Sequence, residues 1–192
     1  MFKKLVVLST LLVLSSLNAH AAVEKYIIDT KGAHASIEFR IKHLGYSWLT
    51  GRFDEFSGGF SLDRDNPDKS SVQVDIKPAS INSNHSERDK HLRGKDFLDV
   101  AKFSEASFKS TRIDLKDDKS GVIYGDFTLR GVTKEIAIDA QLVGGGKDPW
   151  GGFRVGFTGT TRISLADFGI TYNLGPQSKE VEIMLNVEGI RQ

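Results

Sequence analysis

The 192-residue chain contains no cysteine. This excludes a disulfide-stapled scaffold, a thiol nucleophile and a lipid-anchored cysteine, so stability must come from packing. Long apolar runs are also missing. The longest, Leu5 to Leu17, has 13 residues, where a helical bilayer span needs about 20. Lys3 and Lys4 precede it and Ala19-His20-Ala21 follows it. Charge, short apolar run and A-x-A pattern together read as a secretory signal peptide, residues 1–21, cut after Ala21. An uncleaved anchor is the competing reading, and both length and flanks oppose it. Removing those 21 residues from 192 leaves 171, which suits one domain over residues 22–192. No integral membrane segment is expected after cleavage, and the location expected is periplasmic.

An excess of either charge is absent as well. The leader carries two of the 26 Lys and Arg and none of the 25 Asp and Glu, leaving 24 against 25. A near-neutral chain offers no electrostatic basis for binding nucleic acid. Catalytic motifs fail in turn. No G-x-S-x-G elbow occurs. Gly144–Lys147 only superficially suggests a phosphate loop: Gln141 stands where the first glycine belongs, and Asp148 follows Lys147 where Ser or Thr is required. Glu87, Asp89 and Asp167 offer acids or bases, but no spacing selects a pair. No catalytic residue is therefore expected.

The histidines do not assemble a metal site by spacing. His20 leaves with the leader. His85 and His91, on one short helix, stand about 240° apart around its axis. His34 and His43 occupy the two ends of a strand. Zinc needs three or four converging ligands, so no metal is expected.

What the chain has is a rhythm of two. Ile37, Phe39 and Ile41 alternate with polar residues, as do Val72, Val74 and Ile76, then Ile136, Ile138, Ala140 and Leu142, then Val181, Ile183, Leu185 and Val187. Period two means strands with one dry and one wet face. It predicts strands over Tyr26–Thr30, Ala35–His43, Gly51–Leu62, Val72–Lys77, Ala106–Leu115, Gly121–Leu129, Thr133–Val143, Phe153–Leu165 and Glu180–Gly189. The first either stands alone or leads straight into the second. Turn residues at Asp65–Asp68, Asp117–Gly121 and Gly144–Pro149 separate neighbours. All 19 glycines follow the leader, which suits turns and tight sheet bends.

Such strands in meander order predict an all-β, antiparallel, eight-stranded up-and-down barrel, with a two-sheet sandwich as the other solution. The aromatics sit mid-strand rather than in girdles at strand ends, which favours a dry interior over a lipid-facing outer-membrane barrel. By strand parity, Phe39, Ile41, Phe53, Phe60, Phe108, Phe127, Ile138, Phe157 and Ile183 line that interior as candidate ligand-binding residues. One segment breaks the rhythm. Asn84 and Glu87 read as a capping box, starting a polar helix that runs to Arg93 and stops at Gly94. A helix so polar covers a surface or an opening. It is either a cap over the core or a lid at the barrel mouth, with His85, His91, Phe97 and Leu98 placed there. Trp48 and Trp150, in or near loops, either fill a barrel end or meet a ligand. A second short turn is expected at Leu165–Phe168.

Several segments together resemble a known family. They are His43-Leu44-Gly45-Tyr46-Ser47-Trp48, Gly51-Arg52-Phe53, Asn84 to Arg93, Asp96-Phe97-Leu98, Gly131-Val132-Thr133-Lys134 and Asp148-Pro149-Trp150-Gly151-Gly152. In order and spacing the chain is similar to YceI-like proteins, and to their Gram-negative periplasmic members in particular. The resemblance implies an extended, lipocalin-like antiparallel barrel around a hydrophobic pore. It implies a bound polyisoprenoid lipid, such as the tail of an isoprenoid quinone, with no covalent cofactor. It supplies no catalytic motif. An enzyme working on a lipid inside the barrel, and a filled structural or stress-related barrel, are the alternatives. A homodimer through a side or a mouth is compatible with all three.

Overall fold

The structure, a computed structural model, describes residues 23–192; the leader expected at 1–21 lies outside them. Eleven strand segments form one antiparallel sheet: β1 (Glu24–Ile28), β2 (Ser36–His43), β3 (Ser47–Phe53), β4 (Phe56–Leu62), β5 (Ser71–Ile76), β6 (Ile81–Asn82), β7 (Ala106–Leu115), β8 (Ser120–Leu129), β9 (Val132–Lys147), β10 (Phe153–Ser164) and β11 (Glu180–Arg191). Helix α1 (Ser86–Leu92) lies between β6 and β7. The ring runs β1-β4-β5-β7-β8-β9-β10-β11 and returns to β1, closing an eight-stranded barrel. Closure decides against the sandwich, and it removes the unpaired edges that an all-β chain must otherwise protect.

Three staves of the barrel are broken. β1 and β2 both pair with β11, at Ile28↔Gly189 and at Ser36↔Asn186, so residues 29–35 make an excursion between two parts of one stave. The predicted strand Gly51–Leu62 is likewise two pieces, and it begins earlier, at Ser47. β3 pairs with β2 and β6, whereas β4 pairs with β1 and β5. The bend at Asp54 and Glu55 is held by polar contacts: Asp54 N donates to Ser80 O at 3.2 Å, Glu55 N to Ser80 Oγ at 2.9 Å, and Asn82 Nδ2 to Asp54 Oδ2 at 2.8 Å. The break shifts the inward parity by one, from the odd positions Leu49 and Phe53 on β3 to the even positions Phe56 and Phe60 on β4.

The glycine run departs from its reading as a loop. Gly144, Gly145 and Gly146 lie within β9 and pair with Gly156, Val155 and Arg154. The turn is displaced to Asp148–Gly152, where Asp148 Oδ1 accepts from Trp150 N at 3.0 Å and Gly152 N at 2.7 Å. The turn at Asp117 behaves as expected, its carboxylate accepting from Lys119 N and Ser120 N, both at 2.8 Å.

The helix also starts one residue late. Asn84 takes φ 62°, and His85 is the cap, its Nδ1 accepting from Arg88 N at 3.2 Å. That moves Glu87 out of the capping-box position. Asp89 reaches back instead: it is 7% exposed and accepts from Ser83 N at 2.8 Å and Ser83 Oγ at 2.5 Å. Burial pushes its carboxyl up, but the hydrogen bonds from Ser83 win and hold it below its ordinary value. Gly94 stops the helix, its N–H returning to His91 O at 2.9 Å.

Candidate functional site

Strand parity sends one set of apolar side chains inward all round the barrel. They gather in two clusters. The larger holds Ile37, Phe39, Phe108, Phe127 and Ile138 with Phe97, Leu98 and Phe168. The smaller holds Tyr26, Ile28, Phe60 and Val155, with Phe157 and Val187 against it. Phe56, Val72 and Val74 touch both. The rings meet one another: Tyr26 stacks on Phe60 at 4.8 Å, Phe60 meets Phe157 edge-on at 5.6 Å, and Phe39 lies 5.9 Å from Phe53.

The nine candidate lining residues separate into grades. Phe39, Phe60, Phe108, Phe127 and Ile138 are buried. Phe53, Phe157 and Ile183 are half-buried against the clusters, and Ile41 is half-buried outside both. Val74, Ile123, Ile136 and Leu185 point inward and are also only half-buried. An inward side chain that still meets solvent borders unfilled space, because a close-packed interior leaves few voids wider than a water molecule.

The barrel wall itself has an opening. β9 and β10 pair from Phe153↔Lys147 to Thr160↔Asp139, and there the ladder ends. Beyond it the strands part around a hollow of about 660 Å³. Ile136, Ile163 and Phe168 supply its apolar lining, and Lys134, Glu135, Arg40, Arg162 and Glu182 its charged rim. Lys134 lies on the inward parity of β9 yet is exposed, and among the described residues it has no carboxylate partner. Phe168, in the short turn Leu165–Phe168 expected from sequence, plugs the barrel below the opening with its ring 5.4 Å from Phe127. Sequence reading missed the opening, since nothing local marks where a ladder stops.

The residues proposed for a mouth lie at two ends. Phe97 and Leu98 tuck under α1 and are buried, as a cap and a lid both require. His91 stands above them, its ring 4.9 Å from Phe97 and 5.3 Å from Tyr172, with Nε2 3.3 Å from Asp96. His85 borders a separate surface hollow with Asp54, Asn84 and Arg93. Trp48, on the β2–β3 hairpin, is 46% exposed. Trp150 is at the opposite end, in the β9–β10 turn, and 77% exposed with the Arg154 guanidinium 5.4 Å from its ring.

A second cluster sits on the outer wall at the excursion of residues 29–35. Asp29, His34 and Glu188 place ligand atoms within 4.8 Å of one another, a metal-like grouping that spacing did not reveal. Its positive charge is already supplied. Arg154 Nη1 lies 2.7 Å from Asp29 Oδ2 and 2.6 Å from Glu188 Oε1, and Nε lies 3.0 Å from Asp148. The Arg154 guanidinium, then His34 and the Gly32 amide, hold the Asp29 carboxyl far below the ordinary carboxylate range. The cluster fastens the excursion to the barrel.

The comparisons with known proteins come down to the same architecture. A family model described as a YceI-like domain matches residues 26–189. The chain belongs to the YceI-like family. A UPF0312 protein of Shewanella sp. (strain ANA-3) is 54% identical over 172 residues, covering 90% of each chain. BcnA of Burkholderia cenocepacia superposes with a TM-score of 0.74 at 20% identity, covering 84% of this chain and 98% of that one. A polyisoprenoid binding domain from Saccharophagus degradans superposes with a TM-score of 0.64 at 18% identity, covering 87% and 98%. At those identities the two structures speak for the YceI-like fold. No helix among the described residues is long and apolar enough to cross a membrane.

Proposed function

We propose that this protein binds a polyisoprenoid or similar amphipathic lipid, such as an isoprenoid quinone, inside the barrel, and carries or stores it in the periplasm once the leader is removed. The observation that carries this reading is the set of inward apolar side chains left half-buried in the barrel, together with the hollow where β9 parts from β10. Each CH₂ moved from water into such surroundings contributes about 0.8 kcal/mol, so a long tail needs no polar chemistry to bind. The charged rim suits a head group left at the surface, with Lys134 the nearest cation on the inward face of β9. The likeness to the polyisoprenoid binding domain of Saccharophagus degradans supports the ligand class. Carriage rather than catalysis is supported by how the displaced acids are engaged: Asp29 lies on the outer wall with Arg154, Glu182 at the rim is paired with Arg40 and Arg162, and Asp89 holds Ser83.

Native mass spectrometry of protein purified from its own periplasm tests the reading. The expected result is an added mass of several hundred daltons that organic extraction removes. Protein that flies as bare polypeptide and takes up no quinone when offered one overturns it.

A further inference from the structure

The two ends of the barrel differ in charge around their exposed apolar residues. The β2–β3 hairpin turns at Leu44 and Gly45, with φ 53° and 85°. Positive φ at both central positions is what a type I′ turn requires, and asparagine and glycine meet it with least strain. Here a leucine takes it and stays 55% exposed, so core packing does not account for its side chain. Tyr46 is 88% exposed and Trp48 46% exposed beside it. From Phe39 to Phe53 there is no acid, while Arg40, Lys42 and Arg52 are basic, Arg52 being paired with Asp54 at 2.6 Å. The Trp48 ring lies between Arg40 at 4.5 Å and Lys42 at 5.8 Å.

The segment behind the hairpin continues the pattern. Residues 169–179 contain no acid, end in Lys179 and present Tyr172, 47% exposed. Ser178 Oγ donates to Lys42 O at 2.6 Å and ties the two together. Lys42 and Lys179 have no carboxylate partner among the described residues, whereas Glu182, just behind, is engaged by Arg40 and Arg162. The opposite end also shows apolar residues, Trp150 and Leu115, but there acids and cations are interleaved: Asp114 pairs with Arg112, Asp148 with Arg154, and Asp117 and Asp118 lie between Lys116 and Lys119.

We propose that the β2–β3 hairpin docks this protein on an anionic bilayer surface, with Leu44, Tyr46 and Trp48 entering the interface and Lys42 and Lys179 over the phosphates. Tryptophan and tyrosine favour the headgroup level of a bilayer, and nearby lysines are drawn to anionic lipid. Arg40 borders the opening between β9 and β10 as well as Trp48, so docking brings that opening towards the membrane. Docking extends the carriage reading without depending on it: a barrel that floats with vesicles yet takes up no quinone keeps the docking and loses the carriage.

The test uses processed protein purified from cells expressing the full chain, with Trp150→Phe so that Trp48 alone reports. Vesicles of phosphatidylethanolamine and phosphatidylglycerol are compared with vesicles of phosphatidylcholine. Expected are flotation with the anionic vesicles, a blue shift of Trp48 emission on them, and at least a tenfold weaker partition for Leu44→Ser/Tyr46→Ser. Lys42→Glu/Lys179→Glu weakens partition on anionic vesicles, and circular dichroism shows both variants folded. Absence of flotation overturns the proposal, as does flotation with unshifted Trp48 emission, which is read without the double variants. A dimer in sedimentation velocity that Tyr46→Ser dissolves, with no vesicle binding, overturns it in favour of contact between two copies.

Discussion

A β-carbon on Gly51 would stand 2.4 Å from Cζ of Phe39, its register partner on the neighbouring strand. Phe60 relates to Gly189 at the same 2.4 Å, and Phe108 to Gly125 at 2.5 Å. Each ring lies flat on the wall in the room a missing side chain leaves. A ring laid on the wall does not stand up into the axis, so these glycines set the bore of the barrel.

Gly189→Ala is accordingly expected to lift Phe60 into the interior and to cost about 1–3 kcal/mol, the usual range for overpacking. In a domain of this size that lowers the melting temperature by about 2–4 °C per kcal/mol. Adding Phe60→Leu recovers part of the loss in a double-mutant cycle. Additive losses would show that ring and glycine are not coupled.

Arg154→Leu leaves Asp29 as a buried carboxylate without its principal partner. Breaking such a pair typically costs about 3–5 kcal/mol, and the partial exposure of Arg154 points to the low end. Urea unfolding measures it.

The same cluster sets an acid dependence. The folded-state value of Asp29 is depressed, so its contribution is fully present above its unfolded value of about 3.9 and fades as pH falls through the folded one. Asp29→Asn lacks that contribution at every pH. The stability gap between wild type and variant therefore narrows from pH 5 to pH 2. A constant gap would mean that the carboxylate charge is not what holds residues 29–35.

Asp89→Ala removes the acceptor of both Ser83 donors and is expected to cost about 1–3 kcal/mol. Because Leu98 and Phe97 lie beneath the helix, the first consequence is local. Amide exchange over residues 86–92 should quicken before the barrel melts.

At the opening, Ile136→Asp puts a charge where a lipid tail would pass, and Lys134→Glu reverses the inward-side cation. Loss of two methylene contacts, about 1.6 kcal/mol, already weakens binding more than tenfold. Quinone uptake, followed by fluorescence quenching, should fall by at least that factor in the first variant and less in the second. Trp150→Ala, at the far end, should leave uptake unchanged. Equal effects at both ends would place the route elsewhere.

Much of the fold could be read from residues alone. The inward parity of Phe39, Phe108, Phe127 and Ile138 follows from alternation, since adjacent side chains on a strand must face opposite ways. Gly144–Gly146 misled because glycine signals a turn by its freedom, whereas here it lies within a paired strand. The cap moved from Asn84 to His85 because Asp89, six residues from Ser83, took the role that Glu87 was expected to play. His34 was placed at a strand end, but its partners Asp29 and Glu188 could not be chosen: Arg154, which joins them, is 125 residues from Asp29.

Alternation and the interrupted apolar runs therefore determined by themselves that this chain makes strands with one dry face that has to be hidden, while closure into a barrel rather than a sandwich was decided by the pairing of β1 with β11. They act through neighbours in sequence, and their physics is local. Where β9 leaves β10, which arginine neutralises Asp29, and which end carries an apolar tip without acids were decided only in the tertiary structure. Those outcomes depend on register between distant strands, and no local pattern carries register across a hundred residues.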